Sequence, residues 1–226
     1  MDELARLMTE YGYLPYFPRT NDSKTGYFRK ASSAAFECFV YFRYLTRHRT
    51  HEVSLGVQSV EVRGQLNEAL RTVYGDEFSE RFLDVRERPC LSMFNADELM
   101  NWPAGQLYAE SQEELSAKLS DLFHEAIEPT FESVSNDDEM LDLLLNQSAP
   151  FEWWRSSVSP RVAQIVALSF RTARDWKSVR ESISFGEHLL LDDILVSDRT
   201  RTFVDDLCQY FEATEKVSKP LGSGQL

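Results

Sequence analysis

Residues 36–58 read FECFVYFRYLTRHRTHEVSLGVQ, and this stretch decides the fold. Its first half sets Phe36, Cys38, Val40, Phe42 and Tyr44 against Glu37, Phe39, Tyr41, Arg43, Leu45 and Arg47. Its second half sets Val53, Leu55 and Val57 against Glu52, Ser54 and Gln58. Side chains of a strand alternate between two faces, so both halves are predicted strands. The polar bridge Arg47-His48-Arg49-Thr50-His51 is then the turn of a long hairpin, with both histidines exposed on it.

Working outward from the hairpin, Leu4, Leu7, Met8 and Tyr11 fall on one helical face that Gly12 closes. Tyr13 to Pro18 is aromatic, but Pro15 and Pro18 restrict it to an edge strand or an extended linker. Gly26 to Lys30 is a short aromatic strand. Val60 to Tyr74 places Val62, Leu66, Ala69, Leu70 and Val73 on one helical stripe closed by Gly75, and Glu77 to Phe82 adds a further turn. Pro89 to Phe94, holding the apolar run CLSMF, is consistent with another strand. The first part of the chain therefore reads as a helix followed by an antiparallel meander of about four or five strands.

The second part reads as helices. Ser111-Gln112-Glu113-Glu114 is a capping box, and Leu115, Leu119, Leu122, Phe123, Ala126 and Ile127 line one face of the helix that follows. Pro129 is expected to kink or end that helix. Asn136 caps a short helix, Asp137 to Leu145. Ser159-Pro160 starts one long helix or two consecutive ones, reaching about Ser184, with Arg171, Arg174, Lys177 and Arg180 along it. Asp198 caps a last helix with a Phe203, Val204, Leu207, Phe211 stripe. The expected fold is α+β: one domain over residues 1–214, sheet-containing over 1–108 and helical over 109–214, with a flexible tail from 215 to 226.

Of the 226 residues, 42% are hydrophobic and 12% aromatic, enough for a buried core. No apolar run approaches the ~20 residues that span a bilayer. Asp2 and Glu3 follow Met1, and an amphipathic first segment argues against a secretory signal. Three cysteines, Cys38, Cys90 and Cys208, lack paired spacing, so they read as reduced thiols in a cytoplasmic protein rather than a zinc site. No GxSxG, HExxH, phosphate loop or GxGxxG occurs, and neighbouring acids such as Asp192-Asp193 and Asp205-Asp206 point apart on one element. Nothing in the sequence asks for a metal or another cofactor.

Charge is the informative feature, because it is uneven. The net −13 arises mostly beyond residue 100, where 22 acidic side chains face 11 basic ones. Between Glu110 and Asp142 there are 11 acids and one base, Lys118. Such a field repels nucleic acid and anionic membranes and attracts cationic proteins. A solvated face looks the same in sequence, so the two readings stand side by side. The candidate partner-binding residues are Glu113, Asp121, Glu125, Glu128, Glu132, Asp137 and Asp138, with Trp102, Trp153 and Trp154 as aromatic anchors near a charged rim. Pairing of these acids with Arg171, Arg174 or Lys177 would take them out of such an interface.

A short helix, an aromatic antiparallel meander and an acidic helical second half resemble small cytosolic bacterial immunity proteins, over residues 1–145. Runs similar to FVYFRYL and VSLGV also occur in uncharacterised bacterial α+β domains. The resemblance implies a non-enzymatic protein that neutralises a basic toxin or enzyme by covering it. Two other functions remain open: a hydrolase with its site between sheet and helices, and a regulatory or scaffold subunit that self-associates through Tyr13 to Phe17 or the last helix.

Overall fold

The computed structural model describes residues 2–16, 25–31, 35–45, 50–84, 90, 91, 93–96, 100, 107–146, 160–183 and 198–218. The fold is α+β. Its chain divides into two compact units, Met1–Val60 with Asp84–Ser135, and Glu61–Leu83 with Asn136–Leu226. The sequence border at residue 108 is therefore displaced: the acidic helix belongs with the sheet. The physical reason is aromatic packing, since Phe123 of that helix stacks on Tyr11 at 3.8 Å between ring centroids and meets Tyr13 at 5.6 Å.

In the first unit, helix α1 (Asp2–Glu10) buries Leu4, Leu7 and Met8. It stops as expected at Gly12, whose φ of 82° lets its N–H reach Thr9 O while Tyr13 N–H reaches Met8 O. Five strands follow in sequential order: β1 (Leu14–Pro15), β2 (Thr25–Ala31), β3 (Phe36–Leu45), β4 (Thr50–Ser59) and β5 (Phe94–Asn95). All pairings are antiparallel. The edge strand β1 is two residues long and holds Pro15, which offers no N–H to a further strand.

The hairpin forms in an unbroken register from Phe36↔Ser59 to Leu45↔Thr50. The second strand thus begins at Thr50, and His51 is not the exposed turn residue expected. It pairs with Tyr44, their rings 5.0 Å apart, and its backbone exchanges two 2.8 Å hydrogen bonds with Leu107. Burial holds its imidazole pKa below the ordinary value. His48 lies outside the described residues. Both faces of the hairpin's central part are covered. Phe39, on the face opposite Phe36, Cys38, Val40 and Phe42, is fully buried and meets the Tyr16 ring edge-on at 5.5 Å. Among the described residues of the CLSMF region and its neighbour, Phe94 and Asn95 reach strand geometry. Beside Val57 and Gln58, side chains replace the missing ladder. The Leu91 N–H donates to Gln58 Oε1 at 3.2 Å, and Cys90 Sγ lies 3.7 Å from Val57 O.

In the second unit, α2 (Val60–Tyr74) buries Val62, Leu66, Ala69 and Leu70, and Gly75 at φ 88° separates it from α3 (Asp76–Phe82). Among the described residues the remaining helices are α5 (Asp137–Asn146), α6 (Pro160–Arg171), α7 (Trp176–Ser182) and α8 (Asp198–Ser218). Helix α6 is buried from Pro160 to Ser169, including Arg161, whose guanidinium donates to Leu144 O. Burial lowers that guanidinium's pKa to about 10. The break between α6 and α7 is an αL cap built on Ala173, φ 53°, with Arg174 N–H reaching Ser169 O and Asp175 capping Ser178 N–H. A Cβ-bearing residue in this conformation costs about 1 kcal/mol. Tyr74, Phe78, Phe82 and Phe203 form an aromatic cluster, tied by the Tyr74 hydroxyl donating to Asp206 at 2.6 Å. Helix α8 continues to Ser218, beyond the expected end at 214, because Glu215 and Lys216 are helix formers rather than breakers; residues 219–226 lie outside the described residues.

Candidate acidic docking strip

The acidic helix, α4, comprises an α-helix Gln112–Leu122, a π-helical turn Phe123–Ile127 and a last α-helical turn Glu128–Glu132. Its start follows the capping-box reading. Ser111 Oγ accepts from Glu114 N–H at 3.1 Å, and the Glu114 carboxylate accepts from Glu110 N–H at 2.8 Å. A hydrogen bond from the Lys118 ammonium, followed by the one from Glu110 N–H, holds the Glu114 carboxyl below its usual value.

Pro129 does not end the helix. In α geometry the Glu125 carbonyl would face a residue with no N–H and a clashing ring. The π-turn avoids this by sending Glu128 N–H to Phe123 O, five residues back. It also corrects a slip in the apolar pattern. At about 100° per residue, Phe131 would lie about 120° from Leu119 on a regular helix, and one absorbed residue returns it to within about 20°. Leu119, Leu122, Phe123, Ala126, Ile127 and Phe131 are accordingly all buried.

Opposite this buried stripe, Glu113, Asp121, Glu125 and Glu132 are exposed. None of the four has an ion-pair partner among the described residues. Lys118 is occupied: its ammonium lies 2.7 Å from Glu114 and 2.5 Å from Tyr108 O, above the Tyr108 ring. Glu128 is half-buried and lies 3.1 Å from His124 Nδ1. Tyr108, 43% exposed, is the described aromatic residue nearest the helix start in sequence.

The two remaining acids of the expected interface behave differently. Asp137 Oδ2 accepts from Arg171 Nε at 2.7 Å, and Arg171 Nη2 also donates to Glu61 at 2.6 Å. Asp138 and Asp142 both bind Arg174, at 3.0 and 2.5 Å. The Arg174 bond holds the Asp142 carboxyl below its ordinary value. Asp137 and Asp138 are therefore compensated within the second unit, and the single run of charge in the sequence splits into two kinds of acid. Trp102, Trp153 and Trp154 lie outside the described residues, as does Phe151.

Pairing with Arg171 or Arg174, named in the sequence as what would remove acids from the interface, is realised for Asp137 and Asp138, and the αL cap at Ala173 that places Arg174 has no glycine to mark it. Sequence reasoning missed the π-turn, whose signal was the slip of apolar spacing at Phe131 together with Pro129. Among the described residues no group of three or more His, Cys, Asp and Glu is placed to hold a metal, and no helix is long and apolar enough to cross a membrane. No protein-family model, curated protein or solved structure matches the chain.

Proposed function

We propose that this chain is a non-enzymatic binding protein of the cytoplasm, whose acidic strip on α4 docks a cation-rich protein, with neutralisation of a basic toxin or enzyme as the most specific form of that role. One observation carries the reading: Glu113, Asp121, Glu125 and Glu132 stand exposed, with no ion pair among the described residues, on a helix whose other side is buried, while Asp137, Asp138 and Asp142 are held by arginines. Uncompensated carboxylates on one helix repel each other, and a cationic partner relieves that repulsion while accelerating encounter. The three cysteines are buried free thiols, which suits a reducing compartment.

The test is a comparison of variants against a basic partner captured from the native host at low salt. Glu125→Lys, Glu128→Lys and Glu132→Lys together are expected to slow association at least about tenfold, with the wild-type rate falling steeply as salt rises. Asp137→Asn with Asp138→Asn leaves the rate unchanged. A rate indifferent to salt and to the lysine substitutions overturns the proposal.

A further inference from the structure

We propose that a cleft in the second unit is a binding site for a small aryl-alkyl ammonium compound. The cleft has a volume of about 240 Å³ and lies between Gln65 and Glu68 of α2, Phe170 and Arg171 at the end of α6, and Tyr210 and Phe211 of α8. Its size is just below the roughly 300–1,000 Å³ of pockets for drug-sized ligands, which suits one ring on a short chain.

Three features decide the chemistry of the occupant. Phe170 and Phe211 stack at 5.7 Å with an interplanar angle of 21°, and Tyr210 stands perpendicular to Phe211 at 5.4 Å. These faces receive a flat apolar body and favour a cation near their π-systems. The local charge is negative despite Arg171. That guanidinium already serves Glu61 and Asp137, and Glu68, which also lines the cleft, is exposed with no ion pair among the described residues. Gln65 Oε1, finally, is buried with no hydrogen-bond partner among the described residues. An unsatisfied buried acceptor is costly, and an N–H donor in the cleft would satisfy it once the amide turns inward. Aromatic walls, a free carboxylate and an orphaned acceptor together specify an ammonium group on an aryl-alkyl body.

This site is separate from the strip on α4, and its test keeps the two apart. The full chain is titrated with phenethylammonium, and with 3-phenylpropionate as the charge-swapped probe, by ligand-observed NMR and calorimetry. Saturable binding of the amine is expected, at least about tenfold tighter than the carboxylate, with Glu68→Gln and Gln65→Leu each weakening it about three- to tenfold. Both substitutions lie outside the buried stripe of α2, so circular dichroism should match wild type. The α4 triple-lysine variant is expected to bind the amine unchanged. Absence of saturable binding, equal binding of both probes, or indifference to Glu68→Gln overturns the proposal.

Discussion

Two acidic helices follow one another in this chain, and their carboxylates are treated in opposite ways. On α4, Asp121, Glu125 and Glu132 face solvent, and the helix's single lysine is already bound. On α5, Asp137, Asp138 and Asp142 are held by Arg171 and Arg174 from the end of α6 and the turn beyond it. Both helices are rich in acids, six in Gln112–Glu132 and four in the shorter Asp137–Asn146. Compensation differs because it depends on which helix the fold brings alongside. A field capable of steering a partner comes only from charges left over after such pairing.

The comparison is broken most directly at Arg171. Replacing it with Met leaves Asp137, 22% exposed, and Glu61 without their guanidinium. A loss of about 2–3 kcal/mol is expected in urea unfolding, since a partly buried carboxylate is left unpaired. A loss below about 0.5 kcal/mol would show that α5 is as loosely held as a solvated face.

Arg174→Met should cost less, under about 1 kcal/mol, because Asp138 and Asp142 are more than half exposed. Its pH dependence sharpens the contrast. Asp142 has a folded pKa below its ordinary value, so its stabilisation is present above the usual aspartate range and disappears as pH falls through the folded value. The stability gap between wild type and Arg174→Met should therefore hold steady above the usual aspartate range and close as pH falls through the folded value. A gap that widens in acid would reverse the assignment.

The smallest effect on stability belongs to α4. Glu125→Lys, Glu128→Lys and Glu132→Lys together should shift unfolding by no more than about 0.5 kcal/mol, and a slight gain is consistent with relieved repulsion. Destabilisation well beyond that would mean these carboxylates hold the fold, as those of α5 do.

The hairpin was legible because strand periodicity is a local property of Phe36 to Leu45 and Thr50 to Ser59, and burial followed it on the Cys38, Val40 and Phe42 face. The capping box at Ser111 and the helix stop at Gly12 were legible for the same reason: each needs only neighbours in sequence. The fate of Asp137 and Asp138 was not. It depends on two helices meeting across more than thirty residues of chain and, for Asp138, on Ala173 adopting a left-handed conformation without glycine before Arg174. His51 was misplaced because the turn residues Arg47 to His51 look equally polar whether or not a strand begins among them. Gln65 and Glu68 read as the polar side of an amphipathic helix, since a cleft is a relation among three helices that no one of them displays.

The π-turn of α4 means that this helix carries one residue more than its length of core contact requires. Deleting Glu125 while replacing Pro129 with alanine would give an uninterrupted α-helix in which Leu119 and Phe131 still share a side, so far-ultraviolet circular dichroism should be preserved. The surplus position is itself a carboxylate. Shortening the backbone there would thin the anionic surface without touching the interior, and an engineer could adjust the protein's charge in that way at constant fold.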